Sequence, residues 1–172
     1  AAVTPGGEQA APPRVSVVIP ARNEERMLPL ALESVRRAVA AAGASAEIIV
    51  ANDASTDRTA GIAAEQGARV VDVELHNIGA VRNAGAAVAT GEVLVFLDAD
   101  TQLPAEVLAA ALREIDGGAV GGGAGVAFDD ITWLQRRLAG LFTWYWERWH
   151  GWAAGCFMFC RRADFEAMGG FD

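Results

Sequence analysis

A chain of 172 residues is long enough for one domain with a sizeable core, and 52% hydrophobic with 21% charged residues is the balance of a globular protein. Twenty-two acidic residues outnumber 14 basic ones for a net charge of −8, which argues against a nucleic-acid surface, since phosphates require a basic patch. Every basic residue is an arginine, so a Walker A lysine and a Schiff-base lysine are excluded from this chain.

Residues 1–13, rich in Pro, Gly and Ala, read as a flexible leader, and residues 14–172 as a single domain. "RVSVVIP" is a short apolar strand, Val15 to Ile19, stopped by Pro20. Leu28, Leu32, Val35 and Val39 then recur at helical spacing up to Gly43. "AEIIVAND" supplies a second strand, Glu47 to Ala51, and "STDRTAGIAAEQG" a short helix opened by Ser55 or Thr56 and closed at Gly67. "ARVVDVE" is a third strand, and Ile78 to Ala89 a helix whose small residues permit close packing on a sheet.

Val93 to Leu97 form an unbroken apolar run, the pattern of a strand buried on both faces of a parallel sheet. Leu103, Val107, Leu108, Ala111, Leu112 and Ile115 mark the helix that follows. Strand and helix thus alternate four times, which predicts an α/β three-layer sandwich with a mainly parallel central sheet. Ligands in such sheets bind beyond the carboxyl ends of the strands. Polar clusters occupy those ends here: "ARNE" after the first strand, "NDASTD" after the second and "DADT" after the fourth.

After Gly117 the pattern changes. Ala119 to Phe128 and "GCFMFCRR" read as two further strands. The glycines at 117–125 lack G-x-G-x-x-G spacing, which favours a crowded strand or loop over a phosphate cradle. Cys156 and Cys160 are too few for a disulfide framework or a four-cysteine zinc site, and read as packed thiols in a reducing compartment. Between the two strands, Ile131, Leu134, Leu138, Leu141, Tyr145, Trp149 and Trp152 define a helical apolar stripe. All five tryptophans fall in this segment, more than one buried stripe needs, so residues 131–152 are expected to contact an acceptor or a membrane surface. Trp144, Trp149 and His150 are the acceptor-side candidates there, although a lone histidine is more often structural.

Asp98 and Asp100, one residue apart at the end of a buried strand, leave two negative charges to be compensated. They could share a proton, cap the next helix or hold a hard cation. Thr101 can cap without them, and shared-proton dyads usually draw their acids from separated segments. A Mg²⁺ or Mn²⁺ ion, which takes one or two carboxylates and completes its shell with phosphate oxygens, explains the pair better.

In that context "VSVVIPARNEE", "IIVANDASTDRT", "NIGAVRNAGAAVATGEVLVFLDADT" and "RRADFEAMGGFD" resemble, in order, the sequence blocks of the family 2 nucleotide-sugar glycosyltransferases, whose catalytic domain has the GT-A fold. The resemblance implies a nucleotide-sugar-binding half at 14–116 and an acceptor-side half at 117–172. It implies that Pro20, Arg22, Asn23 and Glu24 line the base and ribose, that Asp53 receives a ring N–H of uracil or guanine, and that Arg82 lies near the donor, where a guanidinium can offset phosphate charge. It further places Asp98 on the ribose side and Asp100 on a Mn²⁺ or Mg²⁺ that bridges the two phosphates. The implied activity is sugar transfer with inversion from a UDP- or GDP-sugar to a saccharide, lipid or small-molecule acceptor. Apart from the resemblance, the N-terminus shows no basic start or apolar h-region and no run reaches 18 apolar residues, so the expected location is cytoplasmic, either soluble or at the inner face of the cell membrane. Asn52 and Ala54 stand where Asp and Gly are common in the family. The family's general base normally follows the last block, so it is expected beyond Asp172, in a chain that continues. Two other functions remain open at this point. A nucleotidyltransferase would need a Gly-rich loop and a basic residue after Val15–Ile19, where neither occurs; a non-catalytic nucleotide-sugar or membrane-surface module would need a chain that ends at Asp172.

Overall fold

The computed structural model describes residues 11–124 and 155–172, together with Trp133, Arg137 and Gly140 between them. Strand β1 (Val15–Ala21) is buried along its whole length, and its alternate side chains feed two separate cores. Val15, Val17, Ile19 and Ala21 face one core, and Val18 faces the other. On the first face lie α1 (Leu28–Ala42), α2 (Thr59–Glu65) and α4 (Ala105–Asp116). On the second lie α3 (Ile78–Ala87) and α5 (Arg162–Met168). Three layers result, as the strand–helix alternation predicts.

The sheet holds β2 (Ala46–Asp53), β3 (Arg69–Val73), β4 (Val93–Leu97), β5 (Gly121–Gly123) and β6 (Phe157–Arg161), in the order β3-β2-β1-β4-β6-β5. The first four strands in that order are parallel, while β6 runs antiparallel to both of its neighbours. The chain steps outward from β1 to β3 and then returns to the far side of β1. A right-handed crossover must therefore carry α3 to the opposite face from α1 and α2. The strand order reverses between β1 and β4, and the crevice at that reversal is where open α/β sheets bind ligands.

Several elements depart from the sequence expectation. β1 continues through Pro20 to Ala21 because its pairing with β4 ends at Val18, so the missing N–H of Pro20 breaks no bond on that side. Helix α2 opens at Thr59, not at Ser55 or Thr56, whose polar groups are committed to the neighbouring loop. Helix α3 closes two residues early, and α4 begins after Pro104, leaving Leu103 buried ahead of it. Of the strand expected at Ala119 to Phe128, β5 covers three glycines; residues 125–128 lie outside the described set. The apolar run of β4 is buried on both faces as predicted: Val93, Val95 and Leu97 in one core, Leu94 and Phe96 in the other. Each such side chain contributes roughly 1.5–3 kcal/mol relative to exposure.

Two polar details lock the sheet ends. Buried Ser16 donates to Glu47 Oε1 at 2.6 Å and accepts from the Gly91 N–H at 2.8 Å, which satisfies its hydroxyl inside the core. The Gly-Gly-Phe-Asp end packs Phe171 on Phe96 and Phe165, with ring centroids 4.9 and 5.4 Å away. Asn83 holds that turn by bonding both the carbonyl and the N–H of Phe171, at 2.8 and 2.9 Å. Gly170, at φ 86°, admits this approach because a Cβ there would lie 2.6 Å from Asn83 Oδ1. Among the described residues, no helix is long and apolar enough to cross a membrane.

Candidate functional site

Four loops meet at the carboxyl ends of β1, β2, β3 and β4. The first two are clasped together. Asn23, at φ 57°, accepts the Thr56 N–H on its Oδ1 at 2.8 Å, and its own N–H donates to Ser55 Oγ at 3.0 Å. The Glu24 N–H donates to Thr59 Oγ1 at 2.8 Å, and Asp57 accepts from the Glu25 and Thr59 N–H groups at 3.2 and 2.9 Å. The Ser-Thr-Asp-Arg-Thr run is thus a set of short side chains that bind backbone across the two loops.

Beside this clasp opens a cleft of about 380 Å³. Pro20, Ala21, Arg22 and Glu24 form one wall, Asp98, Ala99 and Asp100 another, with Asp53, His76, Asn77, Ile78 and Val81 between. The structure therefore brings six of the predicted residues onto one surface: Pro20, Arg22, Glu24, Asp53, Asp98 and Asp100. Asn23 instead braces the clasp. Arg82 lies behind the wall, its Nη2 donating to Asp98 Oδ1 at 2.7 Å and to the Gly155 carbonyl at 2.8 Å, with its guanidinium over the Phe171 ring at 5.6 Å. Trp144, Trp149 and His150 lie outside the described residues, as does most of the 131–152 segment; Trp133 within it is 73% exposed.

Four carboxylates against one guanidinium line the cleft, and each acid has a different environment. Burial would push the Asp53 carboxyl up, but hydrogen bonds from the backbone N–H groups of Leu75 and His76, with the nearby His76 and Arg22, hold it below the usual range. Asp98 is paired with Arg82. Burial, then the charges of Asp100 and Asp57, raise the Glu24 carboxyl above its ordinary value. Asp100 is exposed to the cleft and, among the described residues, has only a 3.4 Å contact from Thr101 Oγ1. Among the described residues no three His, Cys, Asp or Glu side chains converge into a ready-made metal cage. The donor set is nonetheless that of a hard cation: carboxylate oxygens, at least one with its lone pairs open, and room for oxygens that a ligand brings.

His76 is the cleft residue that sequence reasoning missed. It adopts φ 51°, and its Nδ1 lies 2.8 Å from Arg22 Nη1. Arginine only donates, so Nδ1 is the acceptor in this contact. The one legible signal was Asn77 next to it, whose Oδ1 caps α3 by accepting the Ala80 N–H at 2.9 Å.

The family model for glycosyl transferase family 2 matches residues 16–167. A 4,4'-diaponeurosporenoate glycosyltransferase of Staphylococcus haemolyticus is 41% identical over 96 residues, 52% of this chain and 24% of that protein. An undecaprenyl-phosphate 4-deoxy-4-formamido-L-arabinose transferase of an Enterobacter species is 35% identical over 138 residues, 74% of this chain and 41% of that protein. Among solved structures, a mannosyltransferase of Pyrobaculum calidifontis in complex with GDP-Man and Mn²⁺ superposes with a TM-score of 0.68 at 24% identity, over 95% of this chain and 48% of that one. The chain thus spans less than half the length of these relatives, and the superposition establishes a shared fold.

Proposed function

The chain belongs to glycosyl transferase family 2, and from that premise we propose that it carries the donor-binding site of a metal-assisted enzyme that transfers a sugar, with inversion, from a UDP- or GDP-sugar to an acceptor hydroxyl. The observation that carries this reading is the cleft at the β1/β4 strand reversal, where Glu24, Asp53, Asp98 and Asp100 leave an excess of negative charge. A diphosphate cannot enter such a cleft without a cation to offset both partners.

Pro20 and Arg22 line the base and ribose, with Asn23 holding their loop in place. Asp53 receives the base's ring N–H. Asp98, oriented by Arg82, faces the ribose, and Asp100 holds the cation. Arg82 acts through Asp98 as a positioning residue rather than by touching phosphate. When Mn²⁺ or Mg²⁺ is bound, it supplies Lewis-acid stabilisation of the charge that grows on the departing diphosphate. The clasped loops contribute orientation, holding donor groups fixed so that an acceptor can approach the anomeric carbon in line. Acceptors open to this reading are saccharides, lipids and small molecules; the likeness to a transferase named for undecaprenyl phosphate supports a lipid-linked one.

Calorimetric titration of the full chain with UDP and GDP, in Mn²⁺ and in EDTA, tests the proposal. Binding should require the metal and weaken at least about tenfold in Asp100→Asn, the loss of one charged ligand. Equally tight binding in EDTA would overturn it.

A further inference from the structure

We infer that Asn52 and Asp72 are positioning residues for the cleft: their cross-strand hydrogen bond pins the open end of β3 and, with it, the loop that forms the cleft's middle wall. This goes beyond the glycosyltransferase reading and rests on it only for the ligand. β3 is an edge strand, paired with β2 alone. Past its end the chain runs through Leu75 into His76, Asn77 and Ile78, which line the cleft. A strand end with one neighbour is the kind of segment that opens locally. Asn52 lies directly opposite Asp72 in the parallel register, and its Nδ2 donates to Asp72 Oδ1 at 2.7 Å. Beyond that tie the Ala54 N–H donates to the Val73 carbonyl at 2.9 Å, and the Leu75 N–H reaches Asp53 Oδ1 at 2.7 Å. Asn52 follows Val50 on the face that carries α1 and α2, opposite to Asp53, and is not among the residues that line the cleft. It acts on the site through β3.

Position 52 requires an amide. An ionised carboxylate only accepts, so the Asn52 amide must present Nδ2 to Asp72. The residue is 6% exposed, and its Oδ1 has no donor among the described residues. An aspartate, common at this place in the family, would set one oxygen against Asp72 and leave the other in that donor-free spot. Two like charges directly opposite each other on neighbouring strands repel, where the amide now binds. Asn52 thus makes Asp72 tolerable, and the two residues belong together. Ala54 adds to the need for this tie. It carries a side chain at φ 50°, where glycine is common in the family, and a left-handed backbone of that kind persists only when its surroundings hold it. The departures at 52 and 54 therefore sit on one junction between β2 and β3.

Titrating the full chain with UDP and GDP in Mn²⁺, alongside urea unfolding of each variant, tests the inference. Asp72→Ala removes the acceptor at an exposed position and should weaken binding, of whichever nucleotide the unaltered protein takes, by about three- to tenfold. Asp72→Asn keeps an acceptor oxygen and should stay within about twofold. Asn52→Asp should lose at least about tenfold. Combining it with Asp72→Asn restores a donor and an acceptor with their roles exchanged, and should recover most of that loss. If Asn52→Asp does not fold, Asp72→Ala against Asp72→Asn decides. Unchanged affinity in Asp72→Ala overturns the inference, and so does a double variant that binds no tighter than Asn52→Asp. A lower urea midpoint with nucleotide affinity intact also overturns it, because that is the mark of a merely structural pair. All three results leave the glycosyltransferase reading standing. An unaltered protein that binds neither UDP nor GDP in Mn²⁺ defeats that reading and this inference with it.

Discussion

Gly85→Ala is the sharpest test of how α3 is seated. Gly85 lies where α3 crosses β1, and a Cβ there would fall 2.4 Å from Val18 Cγ1 and 3.5 Å from Ala51 Cβ. The first distance is about one ångström short of ordinary van der Waals contact, and Val18 is fully buried, with no free volume to rotate into. The helix must retreat from the sheet or Val18 must leave its rotamer. Such overpacking typically costs about 1–3 kcal/mol, while replacing a helical glycine with alanine returns up to about 1 kcal/mol. A net loss of about 1–2 kcal/mol follows. Retreat by about one ångström would also stretch the 2.7 Å Arg82–Asp98 contact beyond hydrogen-bonding range, so donor affinity should fall along with stability. The matched control is Gly61→Ala in α2, where the added Cβ meets nothing within 4 Å. It should stabilise the protein by about 0.5–1 kcal/mol. Urea unfolding of both variants at one temperature and pH gives the comparison. If Gly85→Ala matches Gly61→Ala, close seating of α3 on β1 is refuted.

Three other outcomes are expected. Asn23→Gly should be more stable than Asn23→Ala by about 1 kcal/mol, since both lose the bond from the Thr56 N–H but only alanine is strained at φ 57°; urea midpoints decide. At Glu47, burial alone would raise the carboxyl, but hydrogen bonds from Ser16, Thr90 and Gly91 bring it below its ordinary value. Its contribution to stability is therefore present above that value and lost as pH falls through the lower folded pKa, so the stability gap between the parent protein and Glu47→Gln should shrink on acidification, as read by denaturation at a series of pH values. Burial, with the charge of Asp164, pushes the Cys160 thiol up to about 11, so iodoacetamide at mildly alkaline pH should label it far more slowly in the folded protein than in urea.

What was legible in the sequence was whatever depends on neighbours along the chain. The five-residue run of β4, the stripe and Gly43 stop of α1, and the Asp-x-Asp spacing are local patterns, and each lies where the periodicity places it. What depends on distant partners was not legible. Arg82 reads from its motif as lying near the donor, but its pairing with Asp98, 16 positions along the chain, depends on how α3 packs on the sheet and has no local signal. Ser55 and Thr56 have the composition of a helix cap, but Asn23, more than thirty positions away, claims them for the loop clasp. His76 belongs to no periodic pattern, and its left-handed backbone is imposed by Asp53 from another strand.

The four acids of the cleft also differ in how their charge is met, and that difference bears on where a cation would gain most. Asp53 is satisfied by backbone N–H groups, and Asp98 by a guanidinium that is itself only 11% exposed. Glu24 meets its unfavourable surroundings by holding its proton more tightly, with Asp100 as one source of the repulsion. Among the described residues, Asp100 and Glu24 are the two of the four with neither a cationic partner nor a short side-chain hydrogen bond, and Asp100 is the more exposed of them. A divalent ion gains least where a carboxylate is already compensated and most where it is not. Its arrival at Asp100 would also relieve Glu24, so metal binding should lower the Glu24 pKa and release a fraction of a proton at mildly acidic pH.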